Sequence, residues 1–246
     1  MLSCVPSVFH VPVVTSLTSM VVGTALWGSM ALNARLRRSD LRRIKGVELE
    51  FAPARRSLHL NDQTRIDALI VAAGDSGTEV IAVEVKYADR FNSRLVDIST
   101  TPYRGLAERA GLWADAAEVL GRRRVNQLAR VHALAASYSL SLGVSAPASL
   151  VVLSHAMDAS AVDVVEEYRP LVNGPLVHHA TLREACRSVV DAAPPRHGNA
   201  ARDLELRYGS EDGSAGIARS VAHGSGSVSS AAGPRPDSDR SPSPTR

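Results

Sequence analysis

Two apolar runs joined by a short glycine-bounded link constrain this chain more than any other feature. Ile66-Asp67-Ala-Leu-Ile-Val-Ala-Ala73 and Val80-Ile-Ala-Val-Glu84-Val-Lys86-Tyr87 flank Gly74-Asp75-Ser76-Gly77. Apolar runs of this length between turn residues read as buried strands, and the short link predicts an antiparallel hairpin. A hairpin sets the start of its first strand beside the end of its second. Asp67 should therefore lie beside Glu84 and Lys86, which share a face because alternate strand residues point the same way. Three charged groups would converge at one edge of an otherwise apolar sheet.

Around the hairpin, Val47, Leu49 and Phe51 alternate with Glu48 and Glu50, the pattern of a half-buried strand. Two helical stretches follow, about Tyr103 to Leu120 and Arg122 to Leu142; the second carries Val125, Leu128, Val131, Leu134 and Ala135 on one face. Short strands are expected at Ser149 to Leu153 and Leu176 to His179, with a helix from about Ala161 to Tyr168 between them. Thr181 and Glu184 have the spacing of a capping box, in which the hydroxyl and carboxylate satisfy free amide donors at a helix start. The last helix should run to about Val190. The fold class is α/β, a mixed β-sheet core flanked by helices.

The ends of the chain differ from this core. Residues 1–28 are apolar and rich in Ser and Thr. Val11 to Leu32 is about long enough to cross a bilayer, but Gly23, Gly28 and the hydroxyl residues dilute it. No basic start precedes it as in a signal peptide. It is read as partly a buried helix, with the first dozen residues as an over-extended translation start; a membrane tether through Val11 to Leu32 is the weaker alternative, and the expected compartment is the cytoplasm. Arg35 to Lys45 is strongly basic, either a solvated helix end or a phosphate-contacting patch. Residues 193–246 turn to Gly, Ser, Pro, Arg and Asp, which bury too little surface to offset ordering entropy. A folded domain over 29–192 and a disordered tail are therefore expected.

The two cysteines, Cys4 and Cys186, are far apart, which excludes a disulfide framework and a zinc ribbon. His155, His178 and His179 have no zinc-ligand spacing and read as surface or hydrogen-bonded histidines. Ser154, His155 and Asp158 lack the nucleophile elbow of a hydrolase triad. Arg122-Arg123-Arg124 opens a helix against its dipole and reads as a solvated face, with phosphate contact as the sharper alternative. The formal net charge of +3 permits nucleic-acid binding without demanding it. Of 28 basic residues only Lys45 and Lys86 are lysine. A lysine that persists in so arginine-rich a chain, at the end of a strand bearing Glu84, suggests a chemical requirement.

Two carboxylates, Asp67 and Glu84, with the Val85 carbonyl form an oxygen-rich set suited to Mg2+. Such an ion lowers the pKa of its bound water and offsets charge on a phosphate under attack. A nearby lysine can orient that water, its compact ammonium suiting the task better than a guanidinium.

Asp67, the turn and Glu84-Val85-Lys86 together resemble the PD-(D/E)xK nuclease superfamily. Glu48-Leu-Glu-Phe-Ala-Pro53, Asn61-Asp62-Gln-Thr-Arg-Ile-Asp67-Ala68, Ile81-Ala-Val-Glu-Val-Lys-Tyr87, Gln127-Leu-Ala-Arg130-Val-His132 and Thr181-Leu182 are similar to a bacterial, restriction-endonuclease-like branch. The likeness spans about Ser29 to Val190; Ile66 stands where the superfamily name has proline. It implies a restriction-endonuclease-like sheet, Asp67 and Glu84 as metal ligands, and Lys86 as water-positioning base or electrostatic stabiliser. It further implies Glu50, or Glu48 in its stead, as an additional acidic residue, and Gln127 as a helix glutamine directed at the site. The expected activity is Mg2+- or Mn2+-dependent endonucleolytic hydrolysis of DNA; a homodimer would supply the two sites needed to cut both strands. The alternative is a non-catalytic nucleic-acid-binding or interaction module that keeps the fold. Replacing Asp67 or Glu84 by Ala is expected to abolish cleavage and leave folding intact or improved, by relieving like-charge repulsion.

Overall fold

The computed structural model describes residues 41–74, 77–86, 91, 95–144, 147–193 and 195–209. Expectations for residues 1–40 and 210–246, the apolar N-terminal segment and Arg35 to Arg38 among them, lie outside these.

Five strands form one sheet in chain order: β1 (Leu41–Phe51), β2 (Ile66–Gly74), β3 (Gly77–Lys86), β4 (Ser149–Ser154) and β5 (Val177–Thr181). The first three pair antiparallel and the last three parallel. Between β3 and β4 lie α1 (Thr101–Ala110), α2 (Ala116–Gly121) and α3 (Asn126–Ser141); α4 (Ala159–Tyr168) links β4 to β5, and α5 (Leu182–Ala192) and α6 (Gly198–Leu204) close the described chain. The mixed α/β sheet is thus as expected.

Helices cover both faces, so the central strands are apolar on both sides. Leu69, Val80, Ala82, Leu150 and Val152 pack with Tyr103, Leu106, Trp113, Leu128, Val131, Leu134 and Val165 of the α1–α4 layer. Ile70, Ile81, Val83, Val151 and Leu153 pack with Leu182, Ala185, Cys186 and Val189 of α5. A hydrogen-bond chain crosses the first layer. Trp113 Nε1–H donates to the Tyr168 hydroxyl at 2.8 Å, Tyr168 lies 3.1 Å from His132 Nδ1, and His132 Nε2 lies 2.7 Å from the Ala148 carbonyl. Burial pushes His132 down to about 4, so the ring is neutral near pH 7 and donates through Nε2–H to the carbonyl.

Four expectations need correction. Leu41 to Lys45 belongs to β1 rather than to a helix end. Among the described residues β1 lies at the edge of the sheet, a position where charged residues are common. The stretch Tyr103 to Leu120 divides in two: Gly111, at φ 59°, caps α1 in the left-handed conformation, and Trp113 leaves helical geometry to bridge Val172. The next helix starts at Asn126, after a tight turn at Arg123–Val125. Finally, the folded chain continues past residue 192. Residues 198–209 form α6 and a wide helical turn against α5, burying Ala201 and Tyr208. The expected capping box is present, with Thr181 Oγ1 accepting from the Glu184 N–H at 3.1 Å and Glu184 Oε2 accepting from the Thr181 N–H at 2.8 Å.

Candidate active site

Strand register assembles the site. Ala68 faces Val83, which sets Asp67 opposite Glu84. Leu49 faces Ala68 and Phe51 faces Ile66, which sets Glu50 beside Asp67. Glu50, Asp67 and Glu84 therefore lie in one row across three strands, and Lys86 follows Glu84 on the same face. Glu48 sits opposite Leu69, further from the edge. Glu50 is exposed and has a φ of 49°, a left-handed conformation that costs a non-glycine residue about 1–2 kcal/mol and tends to occur at functional sites.

Glu84 and Lys86 are 3 % and 5 % exposed. Lys86 Nζ lies 2.8 Å from Glu84 Oε1, and the same oxygen accepts from Gln127 Nε2 at 2.6 Å. Gln127, in the first turn of α3, thus reaches Glu84. Phe91 places its ring centroid 5.1 Å from Lys86 Nζ, within cation–π range. Asp67 Oδ2 accepts from the Val85 N–H at 2.6 Å. Burial, then the negative charge of Glu84, pushes Asp67 up to about 7, with Glu50 adding a smaller push; the Val85 hydrogen bond and Lys86 pull the other way.

Those contacts revise the expectation for Glu84→Ala. Removing this carboxylate relieves repulsion on Asp67, yet it strips a buried ammonium of its counter-ion, and an uncompensated buried charge is strongly destabilising. Glu84→Gln is the substitution that preserves shape.

The donor set fits a hard divalent cation. Burial, and then the neighbouring Glu84 charge, make Asp67 resist ionisation, an arrangement a dication would relieve. No group of three or more His, Cys, Asp and Glu side chains suited to a metal occurs among the described residues. A hard dication commonly takes one or two carboxylates and completes its shell with water and substrate oxygens; Asp67, Glu84 and the Val85 carbonyl are the oxygens that could hold one here.

Other polar groups serve the frame. Asn126 Nδ2 donates to the Val96 carbonyl at 2.7 Å, fixing the segment before α1. Ser154, facing Lys86 across the parallel pair, has its Oγ 2.8 Å from His179 Nε2. His155 Nδ1 accepts from the Met157 N–H and Asp158 caps α4. Arg122 pairs with Glu118 and Glu167, and Arg124 with Asp163 and Glu167. The side chains of this arginine run are thus largely occupied within the fold. Nothing in their spacing marks Asn126 and Phe91 in the sequence, and Ser154, which the sequence suggests only for a hydrolase triad, is placed beside Lys86 only once β4 is known to pair with β3.

No curated protein and no solved structure matches the chain. A family model for the PD-(D/E)XK nuclease superfamily matches residues 22–210, a span that contains every residue of the site and both helices that follow β5. The chain belongs to the PD-(D/E)XK nuclease superfamily.

Proposed function

We propose that this protein is a Mg2+- or Mn2+-dependent endonuclease that hydrolyses DNA phosphodiester bonds in the cytoplasm, acting as a homodimer where both strands are cut. The observation that carries the reading is the union of Asp67, Glu84 and Lys86 on one sheet edge with Gln127 fixed on Glu84. A divalent ion bound by Asp67, Glu84 and the Val85 carbonyl would activate a water and offset charge on the phosphate.

The chain's own groups then have separable tasks. The Val85 N–H fixes Asp67 Oδ2, and Lys86 with Gln127 fixes Glu84 Oε1, leaving the other carboxylate oxygens to face a ligand. Lys86 spends one donor on Glu84 and keeps two for the attacking water and the phosphate oxygens. Its ammonium opposes the charge that develops in the transition state, which is worth most in a site shielded from water. Glu50, on the exposed rim beside Asp67, adds a further acidic group.

The test is nicking of supercoiled plasmid by the full chain with Mg2+ or Mn2+, against EDTA and against Lys86→Ala. Cutting that needs metal and disappears in the folded variant supports the reading. Salt-dependent binding with no cutting under either metal replaces it with the binding module.

A further inference from the structure

Arg130 lies one turn beyond Gln127 on α3, and residues three apart share a helix face. Of the arginines whose side chains are described, only Arg130 and Arg169 are half-buried. Arg169 is spent on Glu166 and on the Val177 carbonyl. Arg130 is different. Its Nε is fully buried without a hydrogen-bond partner, and its guanidinium forms no ion pair among the described residues.

The Arg130 charge acts on the Tyr103 phenol, and α3 packs against α1, which carries Tyr103. That places the guanidinium on the side of α3 facing α1 and the 61–65 segment, which delivers Asp67. The obvious internal counter-ion there is Asp62. Its carboxylate, however, already accepts from the Thr64 N–H at 2.6 Å, from the Thr64 hydroxyl at 2.9 Å and from the Tyr103 hydroxyl. Tyr103 donates its hydroxyl hydrogen bond to Asp62, and burial together with that bond pushes the phenol far up, so it offers Arg130 no anion.

A partly desolvated guanidinium whose buried Nε finds no acceptor among the described residues is costly unless a ligand supplies one. The fork of a guanidinium matches two oxygens of a phosphate, and a nucleic-acid backbone offers further phosphates beside the one under attack. We propose that Arg130 binds a backbone phosphate neighbouring the scissile one, setting the register of the strand over Asp67 and Glu84. This rests on the nuclease reading above.

The test is fluorescence anisotropy of the full chain on a labelled duplex DNA over a salt series, with EDTA present so that nothing is cut. Each phosphate contact contributes about 0.9 to the slope of log affinity against log salt. Arg130→Gln should lower that slope by about 0.9, while Arg130→Lys retains it with weaker binding. A melting scan accompanies each variant, since a purely structural arginine would lower Tm and leave the slope unchanged. That result overturns the inference alone, provided the wild type binds duplex and nicks plasmid. A wild type that neither binds nor nicks overturns both readings.

Discussion

Asp67→Asn should make the protein more stable while ending any cleavage, and the gain should depend on pH in a defined way. In the folded chain, burial and Glu84 raise Asp67 from its ordinary 3.8 to about 7. The folded state therefore holds this proton more tightly than the unfolded state does. The stability it contributes is complete below about pH 3.8 and is lost as pH rises through about 7. Asparagine is neutral throughout, and its carbonyl can still accept from the Val85 N–H. Three pKa units correspond to a ceiling of about 4 kcal/mol at 1.36 kcal/mol per unit. Asp67 is only half-buried, so water screens part of that, and roughly 2 kcal/mol is expected at pH 8. For a domain of this size that is a Tm rise of about 4–8 °C. The assay is a melting scan of both proteins with EDTA at pH 5 and pH 8. The gap should be small at pH 5 and open by pH 8. An equal gap at both values would show that Asp67 is not held against Glu84 in a desolvated edge, and the assembly of the site would be refuted.

Two further outcomes are specific. Lys86→Ala leaves Glu84 as a buried unpaired charge and should cost about 3–5 kcal/mol in urea unfolding; the double variant Glu84→Gln/Lys86→Met should recover most of this, and a double variant as unstable as the single would contradict the pairing. Tyr168→Phe strands Trp113 Nε1 and His132 Nδ1 at once, which should cost about 2 kcal/mol, and should leave plasmid nicking unchanged because the network touches no group of the site.

The sequence made the site legible for a physical reason. Strand periodicity and a short link together fix which residues oppose each other, so Asp67, Glu84 and Lys86 could be brought together without knowing the rest of the sheet. Glu50 and Glu48 could not be separated in that way, because the choice depends on how β1 registers against β2. The start of β1 was obscured for a related reason: Arg42, Arg43 and Lys45 are tolerable in an edge strand, and their charge masks its period. Residues 198–209 were misread because their composition resembles that of the tail beyond. Ala201, Leu204 and Tyr208 suffice to dock them only because α5 offers an apolar face in three dimensions. Gln127 was recovered through family resemblance; helix periodicity alone marks it merely as a polar neighbour of Leu128. Arg122 pairs locally with Glu118, but the pairs of Arg122 and Arg124 with Glu167 and Asp163 depend on α4 meeting the turn before α3, a contact between segments about forty residues apart.

The ladder between β2 and β3 closes at Gly74 opposite Gly77, and this gives the short link between them leverage over chemistry at the other end of the hairpin. The two strands act as a ruler: each residue is counted from the turn, and the acidic row is a fixed number of rungs away. A change in link length that the loop absorbs would leave the ruler intact. A change that slides β3 by one rung would turn Glu84 and Lys86 to the α5 side and bring Val83 and Val85 to the row beside Asp67. Catalytic competence is thus encoded partly as a length, so link-length libraries in this hairpin offer a way to switch the site off without altering any residue in it.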